Sequence, residues 1–117
     1  MQAELRSLVT VYHEPLTTAY PSTEAFRISL RAMIGVAGEE GEESFDFDVC
    51  SPAWLDRELD DHTVVGGRFL LIVRDFNPAQ IEGYVQKRIA HATGPDWPTI
   101  AENLARWSQW EFEDYRG

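Results

Sequence analysis

Between Phe26 and Ile34 every second residue is apolar: Phe26, Ile28, Leu30, Ala32 and Ile34 alternate with Arg27, Ser29, Arg31 and Met33. In an extended chain a period of two sends alternate side chains to opposite faces, so this segment reads as a strand with one buried and one wetter face. Such a strand cannot stand alone, because its apolar face needs a second layer and its edges need partners. The residues that follow supply the first partner. Gly35 to Gly41 punctuates the chain, and Phe45, Phe47 and Val49 then alternate with Ser44, Asp46 and Asp48. The two segments therefore read as a hairpin with Asp46 and Asp48 on its outer face.

The remaining elements follow from local signals. An extended-biased segment from Leu5 to Tyr12 places Leu5, Val9 and Val11 on one parity and Leu8 and Tyr12 on the other, and is expected to be a first strand. Pro15, Pro21 and several Ser and Thr make residues 13–24 a loop. Ser51-Pro52 is a helix start, since Ser accepts from an orphan amide and Pro lacks the amide that would be orphaned, and the helix should run to about Leu59. Gly66-Gly67 precede the apolar run Phe69 to Val73, expected to be a central strand covered on both sides. Whether the short helix before it is a crossover or an excursion is open.

Asn77-Pro78 opens a second helix, in which Ile81, Tyr84, Val85, Ile89 and Ala92 recur at helical spacing until Gly94-Pro95. Asp96 caps a last helix whose expected apolar stripe is Ile100, Leu104, Trp107 and Trp110, with Glu102 and Arg106 one turn apart. The order βββαβαα predicts an α+β fold: a mostly antiparallel sheet of about four strands with helices packed mainly on one face. With 117 residues, 44% of them hydrophobic, residues 1–117 form a single domain that needs no metal or disulfide staple.

The lone Cys50 excludes an internal disulfide and suits a reducing compartment. The N-terminus lacks a basic segment followed by an apolar one, and no run is apolar enough to span a bilayer, so a cytoplasmic location is expected. Twenty acids against ten bases give a net charge of −10, which argues against partners that present phosphate, whether nucleic acid or membrane surface. The excess is concentrated. Six acids, Glu39, Glu40, Glu42, Glu43, Asp46 and Asp48, lie in ten residues with no base. Beside Trp54 they form a surface that would steer a basic protein partner and give it an anchor, and a solvated hairpin is the competing account. Asp56, Glu58, Asp60 and Asp61 extend the acidity, relieved only by Arg57.

Chemistry finds less support. His13, His62 and His91 are scattered singly, so no metal or other cofactor is expected. No phosphate-binding loop, nucleophile elbow or zinc-protease motif occurs. A small hydrolase would have to use Asp46 with Asp48 as an acid/base pair, or Cys50 as a nucleophile. Outward aspartates on a sheet and a small buried cysteine account for the same residues without catalysis. An acidic interaction subunit, monomeric or dimerised through an open sheet edge, is a further possibility.

Ala32 to Gly35, the block Gly38 to Leu55, Gly67 to Val73 and the ending Trp110-Glu111-Phe112-Glu113-Asp114-Tyr115 together resemble the Immunity protein 8 family of bacterial polymorphic-toxin systems. That resemblance spans Glu4 to Tyr115. It implies an intracellular antidote that binds a cognate toxin domain without catalysis, and it supplies no catalytic residues. Trp54, Trp110 and Tyr115 match the family pattern, and at least two of them are expected to be buried for packing. The acidic subunit unrelated to toxins and the small hydrolase are the alternatives.

Overall fold

Strands β2 (Arg27–Val36) and β3 (Glu43–Cys50) pair antiparallel, from Ile34 opposite Glu43 to Arg27 opposite Cys50, in a computed structural model that describes residues 1–113. The period-two pattern is realised directly. Leu30, Ala32, Ile34, Phe45 and Val49 have no solvent exposure, and Phe47 has almost none. Against this inner face pack Ile81, Val85 and Ile89 of α2 (Pro78–Ala90) and Ile100, Ala101 and Leu104 of α3 (Trp97–Leu104). Burial of each large aliphatic or aromatic side chain contributes about 1.5–3 kcal/mol, so this two-layer contact dominates the stability of the fold. The order βββαβαα and the α+β class are as the sequence predicts, with one further strand, β5 (Gln109–Trp110), at the end.

Strand β1 (Ala3–Thr10) pairs antiparallel with β2, and its parity differs from the expected one. The register shifts between Leu5 and Ser7, so Ala3 and Leu5 lie opposite Val36 and Ile34, whereas Leu8 and Thr10 lie opposite Ala32 and Leu30. A bulge inserts one residue and thereby reverses the alternation. Leu5 and Leu8, of opposite parity in sequence, thus share the core face, and Val9 lies opposite Arg31 on the outer one.

The apolar run Phe69 to Val73 is not a central strand. β4 (Leu70–Ile72) is three residues long, sits at the end of the sheet path, and leaves Ile72 55% exposed. It runs parallel to β3, and a parallel neighbour requires a crossover, which α1 (Pro52–Asp61) supplies. The edge of β3 is divided: Asp48 to Cys50 pair with β4, and Phe45 and Asp46 pair with β5. A short apolar run carries no information on which of its edges finds a partner. Similarly, α3 stops at Leu104, before Trp107 and Trp110. Trp110 lies on β5 opposite Phe45, Trp107 packs edge-on against Phe47, and no Glu102–Arg106 ion pair forms among the described residues.

All three helix starts are capped as their sequences predict. The hydroxyl oxygen of buried Ser51 accepts from the Trp54 amide at 3.2 Å and from the Phe26 amide at 3.1 Å, joining α1 to the entry of β2. Asn77 accepts from the Gln80 amide, and the Asp96 carboxylate accepts from both the amide and the hydroxyl of Thr99. Between β2 and β3, Gly38 and Gly41 take positive φ values of 82° and 97°. Gly35 matters for a different reason: a Cβ there would lie 2.2 Å from the carbonyl oxygen of Gly41.

Two expectations follow. Gly35→Ala forces the hairpin crossing apart, which should cost about 1–3 kcal/mol and lower Tm by roughly 5–10 °C in thermal denaturation; an unchanged Tm would show that the crossing relaxes freely. The hydrogen bonds from Thr99 hold the Asp96 carboxyl below its ordinary value. Their stabilisation is complete above the unfolded aspartate value of about 3.9 and is lost as pH falls through the lower folded one. Asp96→Asn retains a cap that does not titrate, so between pH of about 5 and 2 the variant should lose less stability to denaturant than the parent; parallel pH profiles would contradict the capping role of the charge.

Candidate functional site

The turn joining β2 to β3 carries Glu39, Glu40 and Glu42, all exposed. Its backbone is tied down from three sides. The Ala37 amide donates to the Gln2 carbonyl at 2.9 Å, the Glu39 amide donates to the Val36 carbonyl at 3.1 Å, and the Arg6 guanidinium donates to the carbonyls of Val36 and Glu39. Arg6 sits at the β1 bulge, and among the described residues its only carboxylate neighbour within 4 Å is Glu4, at 3.8 Å. Among the described residues Glu39, Glu40 and Glu42 therefore form no ion pair. Glu43 is different: its carboxylate turns inward and accepts the indole N–H of Trp97, the first residue of α3.

Between this turn and α3 runs a groove of about 400 Å³, lined by Ile34, Val36, Trp97 and Phe112 with Glu40, Glu42 and Glu43 around them. An aromatic row supports it. Trp97 meets Phe45 edge-on at 6.2 Å, Phe45 stacks on Trp110 at 6.4 Å, and Trp110 meets Phe112 edge-on at 6.0 Å. The strand that brings Trp110 and Phe112 here is clamped to β3. The Ser44 amide donates to the Glu111 carboxylate at 2.6 Å, the Glu111 amide donates to the Ser44 carbonyl, and Arg68 bridges Glu113 and the Ala105 carbonyl.

The other acids of the cluster do not join this site. Asp46 and Asp48 lie on the outer face, as alternation predicts, but each is held by an arginine of β2. Arg31, directly opposite Asp46, binds it through Nε at 2.9 Å and Nη2 at 3.0 Å, and Arg27, diagonal to Asp48, binds it at 2.6 Å. Arg31 has its guanidinium pKa raised by the hydrogen bond to Asp46. Opposite charges on facing strands stabilise a sheet, so these two carboxylates have a structural partner. Trp54 lies on α1, half-buried, with the Arg27 guanidinium 4.7 Å over its ring. That is the far end of β3 from the turn, roughly 24 Å away at the usual rise per residue. Of the tryptophans matching the family pattern, Trp110 is half-buried against the core and Trp54 is half-buried outside it, while Tyr115 lies outside the described residues. Trp97 and Phe112, which wall the groove, carry no local sequence signal that ties them to Glu40 and Glu42.

Cys50 is fully buried, and burial pushes its thiol up, against a smaller lowering effect from Arg27. A raised thiol is a poor nucleophile. No group of three or more His, Cys, Asp or Glu among the described residues is placed to hold a metal ion. No helix among them is long and apolar enough to cross a membrane. A double-mutant cycle on R31M and D46N should give a coupling of about 0.5–1 kcal/mol that shrinks in high salt, as for a bidentate pair that is partly open to solvent; zero coupling would return Asp46 to the free acidic surface.

A family model described as Immunity protein 8 matches residues 3–115, from the first residue of β1 past the clamp on β5. No curated protein and no solved structure matches the chain. With the match covering nearly the whole domain, the chain belongs to the Immunity protein 8 family.

Proposed function

We propose that this protein is a stoichiometric, non-catalytic antidote that binds a cognate bacterial toxin domain in the cytoplasm, and that it docks through the end of the β2–β3 hairpin. The family supplies the immunity role. The observation that carries the docking site is that Glu39, Glu40 and Glu42 have no ion-pair partner among the described residues, and that Glu40 and Glu42 border an apolar groove. Unpaired carboxylates on a fixed turn steer a basic partner and raise its association rate, while an apolar groove beside them slows release. A toxin domain with a basic substrate cleft would meet carboxylates where its substrate presents anions. Asp46 and Asp48, neutralised by Arg31 and Arg27, and Trp54, at the other end of β3, contribute less to this contact. The buried Cys50 and the arginine-bound aspartates support inhibition by occupancy over turnover.

The test is co-expression with the toxin domain encoded beside this protein, scoring growth and co-purification. The expected outcome is rescue with a one-to-one complex, and C50A should protect as well as the parent. The triple variant E39Q/E40Q/E42Q should slow association about tenfold at low salt and flatten its salt dependence. Failure of the parent protein to restore growth would sink the antidote role, and unchanged association of the triple variant would move the interface elsewhere.

A further inference from the structure

We infer that the groove between the hairpin turn and Trp97 is a receptor for one lysine or arginine side chain projecting from the partner. This inference rests on the docking reading above and names what the groove recognises. Val36 and the Trp97 ring, above the fully buried Ile34, give apolar walls to an open groove of about 400 Å³, at the small end of the range for ligand clefts and enough for one long side chain. Lysine and arginine are the side chains with an apolar stem and a charged head, and their methylenes pack on such walls while the head stays at the polar end. The polar end here is acidic: Glu40, Glu42 and Glu43 border the groove. Glu43 is already oriented by the Trp97 indole N–H, so it presents fixed negative charge without having to be ordered on binding.

The ring of Trp97 adds a face for a cation, since a guanidinium or ammonium within about 6 Å of an indole centroid is attracted by its π-electrons. The protein uses this contact elsewhere, with Arg27 at 4.7 Å over Trp54 and Arg68 at 4.6 Å over Phe69. Among the described residues the nearby cation, Arg6, is engaged otherwise. Arg6 lies beneath the turn and is held by the backbone carbonyls of Val36 and Glu39. A neutral polar side chain would leave three carboxylates facing an apolar wall, and an acidic one would be repelled, so charge complementarity selects a cation.

A titration of the isotope-labelled full chain with Nα-acetyl-arginine amide and with Nα-acetyl-lysine amide, each followed by NMR, tests this directly. Nα-acetyl-citrulline amide serves as the neutral isostere. The expected result is saturable shifts of the Trp97 indole N–H and the Gly41 and Glu42 amides with both cations and none with citrulline. E40Q/E42Q, both substitutions at exposed positions, should weaken binding at least fivefold with the rest of the spectrum unchanged. Absence of saturable shifts at Trp97, equal shifts with citrulline, or undiminished binding by E40Q/E42Q would overturn the inference. No toxin enters the titration, so its failure leaves the antidote role standing, whereas cation binding without growth rescue overturns the antidote role alone.

Discussion

Phe45 is the residue on which the rest of the arrangement depends. It is fully buried, lies opposite Ala32 on β2 and Trp110 on β5, and meets the ring of Trp97 on α3. One side chain thus joins the hairpin to α3 and β5, which lie far from it in sequence. Its stacking on Trp110 and edge-on contact with Trp97 each add about 0.5–1.5 kcal/mol beyond simple burial. Without that row, β5 would be two residues of strand held, among the described residues, mainly by its backbone pairing and the Glu111 and Arg68 clamps. The groove beside the acidic turn is the outer surface of the same row, so packing in the core fixes the geometry of a surface site.

Strand register then decides what the acidic sequence means. Read linearly, residues 39–48 hold six acids without a base. In three dimensions β2 lays Arg31 and Arg27 against Asp46 and Asp48, and α3 lays an indole N–H against Glu43. Three of the six therefore have structural partners, and the negative field of the hairpin narrows to its turn. That separation narrows the proposed docking site: charge already paired across a sheet is screened, while unpaired charge on an exposed turn projects its field into solvent.

Much of this fold was legible because it depends on short-range rules. Alternation from Phe26 to Ile34 and from Phe45 to Val49 identified the central hairpin and its core face, and Ser51-Pro52, Asn77-Pro78 and Asp96 marked all three helix starts. The misses share a cause. The β1 bulge, the edge position of β4 and the strand position of Trp110 are set by tertiary partners, and no local pattern encodes which edge of β3 they will occupy. The same holds for the site. Glu40 and Glu42 were visible as a charge cluster, but the walls supplied by Trp97 and Phe112 come from segments more than fifty residues away.

The family blocks mix two kinds of residue, and the structure separates them by asking which have an internal duty. Gly35 permits the close crossing with Gly41, Ser51 caps α1 and holds Phe26, Trp110 stacks on Phe45, and Glu111 binds the Ser44 amide. Each would be required of any member folding this way, whatever it binds. Glu39, Glu40 and Glu42 make no such side-chain contact among the described residues, yet the backbone that carries them is pinned by Gln2 and Arg6 and turns through two glycines with positive φ. A rigid turn bearing unoccupied side chains is the arrangement that binding favours, because little backbone entropy is lost on contact and the side chains have no internal bond to break first. The internal contacts thus fall on the core and capping residues, and the side chains at the turn carry none of them among the described residues.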